Sequence, residues 1–171
     1  WVLSASRDGF AFGDPLMYHI GAQSLLDGHG YTGILGVPMV RWPPGYSGLL
    51  AGVYWVFGNT PLRGEIMNAI VGALTVPLLY VTVRRAFSER IALIAAVMLC
   101  VMPGPILWTD LLVTETVFTF LFVAFIALVV RSTPSWKWAL GLGALVGISS
   151  LIRGEALVWL LVPAVMWGDR K

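Results

Sequence analysis

The chain has 171 residues, of which 58% are hydrophobic and only 12% are charged, and its formal net charge is +2. Soluble domains carry roughly 25% charged residues, so this composition, with a mean hydropathy of +0.83, excludes an ordinary soluble domain. The small net charge gives no reason to expect a nucleic-acid partner. The single cysteine, Cys100, excludes an intrachain disulfide.

The N-terminal third contains two short segments with helical character. Asp14–Asp27 mixes apolar and polar residues, which is typical of a helix lying along a membrane surface. Asp14 is followed by proline and is expected to cap the N-terminus of this helix. Tyr46–Gly58 is apolar but has only 13 residues, a length typical of a re-entrant or interfacial helix. We therefore predict that residues 1–63 form an outer loop with two interfacial helices.

Uncharged apolar runs recur through the rest of the chain. About 20 such residues cross a hydrocarbon core of roughly 30 Å as a helix. The predicted fold class is therefore all-α, a polytopic membrane helical bundle. The predicted membrane helices are 64–86, 91–108, 111–131, 137–152 and 155–168.

Proline and glycine residues predict interruptions and close contacts within these helices. Pro77 should kink the first membrane helix. Pro103–Pro105, which reads Pro-Gly-Pro, should break or bend the second near its outer end. Gly143 and Gly147 form a face of small residues, which favours close packing against another helix.

The loop charges predict which side of the membrane each loop faces. The loops at 84–90, 131–137 and 170–171 hold seven of the eleven Lys and Arg residues, so the positive-inside rule makes them cytoplasmic. Seven of the nine carboxylates then fall on the opposite face. If Tyr46–Gly58 were counted as a further membrane span, Asp14 and Glu115 would lie on opposite sides of the membrane. We therefore expect the polar site on the extracytoplasmic side of the cell membrane.

Two charged residues near the outer helix ends are candidates for function. Glu115 stands at the start of an apolar run, and no Lys or Arg lies three or four residues away to pair with it on a helix. An acid in such a place usually faces a polar cavity or a partner. Asp110 is one possible partner, although a cap at the membrane surface is its simpler role. Arg153 should lie below the surface, because the run 138–152 spans only about 22 Å as a helix. Arg153 could pair with Glu115 or Glu155, or clamp a phosphate through bidentate hydrogen bonds.

The remaining polar and aromatic residues of the outer face are expected at the membrane surface. Arg41 and Arg63 are weaker candidates for substrate binding, since either could reach to lipid headgroups. His19 and His29 are expected to be exposed. The tryptophans that fit an interfacial aromatic belt are Trp42, Trp55 and Trp108.

Short motifs occur in an order that resembles a known family. In chain order they are Asp14-Pro-Leu-Met-Tyr18, Gly28-His-Gly-Tyr31, Arg41-Trp-Pro-Pro-Gly-Tyr46, Arg63-x-x-x-x-Asn68, Leu112-Val-Thr-Glu115 and Leu151-Ile-Arg153-Gly-Glu155. Their order and spacing, from about Asp8 to Val162, resemble the membrane-embedded glycosyltransferases of the GT-C fold. The most similar group is that of the protein mannosyltransferases and aminoarabinose transferases, which use polyprenyl-phosphate sugars.

The resemblance implies roles for individual residues. Asp14 would be the catalytic carboxylate, which activates the acceptor or holds a divalent metal such as Mg or Mn, and Glu115 would be the second acid of the site. Arg153 would hold the lipid phosphate. Relatives often carry an acid just before the double proline, where this chain has Arg41 and Trp42, and that departure bears on metal use and on the acceptor. The residues predicted to bind substrate are Arg153, Arg63, Arg41, Tyr18 and Glu155.

The resemblance also implies an activity and a set of partners. The expected activity is inverting, extracytoplasmic transfer of a sugar from a polyprenyl-phosphate donor to a protein, lipid or glycan acceptor, with membrane lipid as a further partner. The abrupt ends of the chain predict that it is the N-terminal catalytic portion of a longer protein. A transporter or flippase with Glu115 and Arg153 along its substrate path is the alternative, although such proteins are built from repeated halves and no repeat is visible here. A catalytically silent scaffold is a third possibility.

Overall fold

The computed structural model describes residues 13–131 and 135–163, and these are organised as helices joined by short turns. Within these ranges the only β-pairing is a single bridge between Thr32 and Pro38. The all-α prediction is therefore confirmed. The helices are α1 (Asp14–Leu26), α2 (Pro44–Phe57), α3 (Pro61–Ala86), α4 (Glu89–Val101), α5 (Pro103–Thr109), α6 (Glu115–Arg131) and α7 (Trp136–Ser150), with short 3₁₀ segments at Ile34–Gly36 and Gly154–Leu160.

Helices α3 and α6 run parallel and form the centre of the fold. Near their N-termini the Asn68 side-chain amide donates a 2.8 Å hydrogen bond to the carbonyl of Leu111, just before α6. One turn further along, Gly72 of α3 contacts Thr116 of α6. Asn68 is fully buried and also donates to the Tyr46 hydroxyl at 2.9 Å. One end of the bundle therefore brings together the starts of α2, α3 and α6.

Helix α7 runs antiparallel to α6, and its apolar residues pack against the C-terminal half of α6. The 3₁₀ segment that follows α7 is attached to α6 by an aromatic cluster. Its Trp159 lies 4.9–5.4 Å, between ring centroids, from three phenylalanines of α6. Stacking at such distances stabilises aromatic pairs beyond simple burial, so the turn between α7 and the 3₁₀ segment is held over the N-terminus of α6.

The structure bears on the predicted helix boundaries at several points. The Pro103–Pro105 segment divides the predicted helix 91–108 into α4 and α5, which are bent by 53°, as the prolines predict. Pro77 lies within α3 without ending it. The segment predicted as 155–168 begins as the 3₁₀ helix Gly154–Leu160 rather than as an α-helix, and residues 164–168 lie outside the described residues.

Among the described residues, one helix is long and apolar enough to cross a membrane, namely Pro61–Ala86. The bent pair α4–α5 would supply a second crossing if it forms one span, and the apolar helices Glu115–Val130 and Gly154–Pro163 are shorter. Only 17% of the apolar window of α3 is buried, whereas the core helix of a soluble domain is mostly buried. Five crossings remain a prediction from the sequence.

Helix α1 occupies the predicted segment, but its packed face differs from that of an amphipathic surface helix. Tyr18 and His19 are both buried on the face that contacts α2. His19 Nδ1 lies 3.0 Å from the Tyr54 hydroxyl, and burial lowers the pKa of His19. The prediction that His19 is exposed is therefore wrong, because Tyr54 satisfies its ring inside the interface. His29 is exposed, as predicted.

The close helix packing that was predicted at two glycines occurs at a different glycine. Gly143 and Gly147 have open space where a Cβ would stand, so among the described residues they do not mediate helix packing. The close approach occurs instead at Gly45, in the first turn of α2. Its amide donates a 2.7 Å hydrogen bond to the carbonyl of Leu151, and an added Cβ would lie 2.6 Å from that oxygen.

The Gly45 contact yields a test of this arrangement. We expect Gly45→Ala to lower the free energy of unfolding by about 1–3 kcal/mol, the usual cost of overpacking, because the obstructing atoms belong to backbone. Gly52→Ala in the same helix is the matched control, since its Cβ meets nothing within 4 Å; a helix-interior alanine there should be neutral or stabilise by up to about 1 kcal/mol. Thermal unfolding of the purified full-length protein measures both. Equal stability of the two variants would contradict the assigned contact.

Candidate active site

A polar cavity of about 270 Å³ lies at the end of the bundle where α1, α2 and α6 begin and α7 ends. Its walls come from segments that are far apart in the chain. The lining includes all but one of the residues predicted to be functional. These are Asp14, Tyr18, Arg41, Glu115, Arg153 and Glu155.

Asp14 is the first residue of α1, and its carboxylate faces this cavity. The prediction that Asp14 caps the helix is wrong: Gly13 occupies the N-cap, with a φ of 120° that favours glycine, and no side chain caps the helix. An acid in the first turn still interacts favourably with the helix dipole. The Asp14 Oδ1 atom accepts a 2.9 Å hydrogen bond from Trp42 Nε1. The Asp14 carboxylate therefore makes no capping hydrogen bond to the helix backbone, and the Trp42 indole orients it.

Glu115 and Arg153 form the central ion pair of the cavity. Arg153 Nη1 lies 2.9 Å from Glu115 Oε1, and Arg153 Nη2 lies 3.4 Å from Glu155 Oε1. The guanidinium also lies 5.5 Å from the centre of the Phe118 ring. Burial alone would lower the pKa of Arg153, but Glu115 and Glu155 raise it further than burial lowers it. The partner of Glu115 thus lies 38 residues along the chain, which helical spacing could not indicate.

Tyr18 supplies a neutral hydroxyl at the inner wall. Burial, together with the negative charge of Asp14, raises the pKa of Tyr18 to about 12, although a hydrogen bond with Thr114 lowers it. The phenol therefore keeps its proton at neutral pH and can donate a hydrogen bond. Its ring packs edge-to-face on Tyr46 at 5.1 Å, which fixes its position.

Arg41 and Trp42 also line the cavity. The Arg41 guanidinium lies over the Trp42 ring, 5.5 Å from its centre. Trp42 was expected to lie in an interfacial aromatic belt, but its ring is partly buried against the core and its N–H is bound to Asp14. Trp42 and Thr114 are contributors to the site whose roles sequence reasoning missed. The place of Trp42 beside a double proline was the available indication.

Arg63 is the predicted site residue that lies elsewhere. It borders a separate apolar cavity with Phe57 and Ile66, and it does not line the cavity that holds Asp14. Its position near the start of α3, beside Val53 and Phe57 of α2, accounts for this. A substrate contact at Arg63 is not supported by the geometry.

A divalent metal is the cofactor that the resemblance predicts for Asp14 and Glu115. Within residues 13–131 and 135–163, no group of three or more His, Cys, Asp or Glu side chains could hold a metal ion. Asp14 Oδ1 already accepts from Trp42, and Glu115 accepts from Arg153 at Oε1 and from Thr114 at Oε2. These residues do not form a metal cage of their own, so the metal stays a prediction.

The class of this helical protein, whose cavity holds a paired acid and arginine, is given by its match to a family of the GT-C type of glycosyltransferase. The family described as dolichyl-phosphate-mannose-protein mannosyltransferase matches residues 41–167. The chain belongs to this family, which confirms the resemblance seen in the sequence motifs. The match includes Arg41, Glu115 and Arg153, while Asp14 and Tyr18 precede it. No curated protein and no solved structure matches the chain.

The two ion pairs of Arg153 should differ in strength. Arg153 and Glu115 are each about one-third exposed, at 32% and 34%, whereas Glu155 is 71% exposed. Because solvent screens exposed pairs, we expect a coupling energy of about 0.5–1 kcal/mol for Arg153–Glu115 and close to zero for Arg153–Glu155. Double-mutant cycles with glutamine substitutions, read out by unfolding free energy, measure both. A larger coupling to Glu155 would contradict the geometry described.

Proposed function

We propose that this chain carries out inverting transfer of a sugar from a polyprenyl-phosphate donor to a hydroxyl or other nucleophile of a protein, lipid or glycan acceptor. The observation that carries the proposal is the convergence of Asp14, Glu115 and Arg153 on one cavity, although the two acids are 101 positions apart in the chain. The match to the mannosyltransferase family supports a sugar-transfer reaction at this cavity.

Asp14 is suited to act as general base toward the acceptor. Its Oδ1 atom is held by Trp42, while its second oxygen accepts no hydrogen bond from the described residues. That oxygen takes the proton of the acceptor as the acceptor oxygen forms a bond to the anomeric carbon. A positioned base of this kind contributes about 10²- to 10⁴-fold to the rate.

The bond to the donor phosphate breaks as the new bond forms. The electron pair of the anomeric carbon–oxygen bond leaves with the phosphate, which departs as polyprenyl phosphate and gains negative charge. An arginine stabilises this charge more in the transition state than in the ground state, and the cavity offers Arg41 and Arg153. Glu115 supplies a negative charge that stabilises the positive charge developing on the sugar ring. Tyr18 and Glu155 can hydrogen-bond sugar hydroxyls.

The proposal includes a multi-pass location in the cell membrane, which suits a donor whose lipid tail stays in the bilayer. The surface of α4 supports this location, since its outward face is a continuous apolar strip. The strip consists of Ile91, Leu93, Ile94, Val97, Met98 and Val101, which are between 49% and 67% exposed. Surfaces of this kind are rare on soluble monomers.

The cavity and the basic hairpin, which is the loop 84–90, lie near opposite ends of α3. The cavity lies at the N-terminal end of α3, and Arg84 and Arg85 lie at its C-terminal end. A 26-residue helix is about 39 Å long, enough to separate the two faces of a bilayer. This separation supports an extracytoplasmic site with a cytoplasmic hairpin.

The catalytic role of Asp14 is tested by Asp14→Asn in the full-length protein, assayed for sugar transfer from a purified polyprenyl-phosphate donor. We expect turnover to fall by at least about 100-fold, since asparagine cannot accept the proton. Asp27→Asn, at the exposed far end of the same helix, is the matched control and should retain activity. Unchanged turnover in Asp14→Asn would remove Asp14 as the general base, whereas the absence of sugar transfer by the unmodified protein would favour a transporter or flippase.

The orientation is tested by cysteine labelling in intact cells, in a Cys100→Ser background. A membrane-impermeant maleimide should label Asp27→Cys from outside and should label Phe87→Cys, in the hairpin, only after permeabilisation. Both positions are exposed in the fold, so accessibility depends on the membrane alone. Labelling of both positions in intact cells would show that the assigned topology is wrong.

A further inference from the structure

The two arginines of the cavity differ in what already neutralises them. Arg153 donates to Glu115 at 2.9 Å and to Glu155 at 3.4 Å, and its guanidinium also lies 3.5 Å from the Thr114 hydroxyl. These contacts occupy both terminal nitrogens. Arg153 with its two acids therefore forms a group of net charge −1, from one positive and two negative side chains.

A group of this charge is a poor receptor for an anion. A phosphate that approached Arg153 would meet the carboxylates of Glu115 and Glu155 at similar distances, and like charges that face each other raise the energy of the complex. Displacing Glu115 to make room would leave that carboxylate without its partner in a half-buried wall. The contacts of Arg153 instead fix the position of Glu115.

Arg41 has the environment that a phosphate ligand requires. Its side chain is exposed at the cavity rim, and no carboxylate of the described residues forms an ion pair with it. Its guanidinium carbon lies over the Trp42 ring, 5.5 Å from the ring centre. Stacking on an aromatic face leaves the N–H groups at the edge of the guanidinium free for bidentate bonds to phosphate oxygens.

Trp42 joins this arginine to the general base. Its ring face supports Arg41, and its ring nitrogen donates to Asp14 Oδ1. The two functional groups therefore contact different parts of one rigid side chain. Within the proposed function, Arg41 would hold the donor phosphate and Asp14 would take the proton of the acceptor.

We propose that Arg41 is the residue that binds the phosphate of the lipid-linked donor, and that Arg153 is a positioning residue that holds Glu115. This inference rests on the proposed function and reassigns the phosphate contact within it. The ligand is the monoanionic phosphodiester of the donor and, after transfer, the phosphomonoester of the product. The proposal assigns Arg41 to the donor phosphate and not to the headgroups of the surrounding bilayer.

Binding of polyprenyl phosphate to the full-length protein in nanodiscs tests the assignment without requiring turnover. We expect Arg41→Gln to weaken binding about tenfold, the effect of roughly one charge-assisted contact, and Arg41→Lys to restore part of it. Polyprenol, which lacks the phosphate, should bind both Arg41→Gln and the unmodified protein equally. Arg90→Gln, the same change on α4 away from the cavity, is the matched control and should bind as the unmodified protein does.

Arg153→Gln should produce the complementary pattern. Polyprenyl phosphate should bind within about threefold of the unmodified protein, while kcat falls by about 100-fold because Glu115 loses its support. The assignment is overturned if Arg153→Gln weakens phosphate binding as much as predicted for Arg41→Gln, or if Arg41→Gln leaves binding unchanged.

Two further arms separate the sources of an Arg41 effect. Nanodiscs made with and without anionic phospholipid should show the same Arg41-dependent difference; an effect seen only with anionic phospholipid would assign Arg41 to headgroups and overturn the proposal. If polyprenyl phosphate binds in an Arg41-dependent way but no sugar is transferred by the unmodified protein, the phosphate site stands and the proposed transferase function fails.

Discussion

The contact between Gly45 and Leu151 is the constraint on which the site depends. It joins the first turn of α2 to the turn after α7, at a separation that only glycine allows. Through it, the segment that carries Arg41 and Trp42 is placed against the segment that carries Arg153. Without this approach the two walls of the cavity would not face each other.

A second constraint comes from a fully buried amide. Asn68 binds the Tyr46 hydroxyl in α2 and the Leu111 carbonyl before α6, so it ties three helix starts to one point. Buried polar groups are costly unless they are hydrogen-bonded, and these two bonds make the arrangement specific. Glu115 lies four residues after Leu111, so the hydrogen bond from Asn68 to Leu111 helps to fix the position of Glu115.

The cavity separates its charges into two groups with different tasks. Arg153 forms ion pairs with Glu115 and Glu155, and these three side chains together carry a net charge of −1. Arg41 and Asp14 form the second group, in which both contact Trp42. An inverting transfer needs a base for the acceptor and a cation for the leaving phosphate, and under the proposal Asp14 and Arg41 supply them. A uniformly basic pocket would hold the donor but would not activate the acceptor.

Much of the helical arrangement was accessible from the sequence. Apolar run length indicated α3, the prolines indicated the break between α4 and α5, and the motif order indicated the family that residues 41–167 confirm. The loop charges grouped Asp14 with Glu115, and the fold places both in one cavity. Helix ends were less accessible, since the start of α6 at Glu115 depends on contacts with α3 rather than on local propensity.

The sequence by itself determined the fold class, the family and the acids that share one end of the bundle, because composition, periodicity and motif order are properties of neighbouring residues. Only the tertiary structure decided the pairings. Glu115 meets Arg153, Asp14 meets Trp42 and His19 meets Tyr54 across separations of 28 to 38 residues. Such contacts depend on how helices approach in space, and the approach is set by Gly45 and Asn68, whose roles no local pattern reveals.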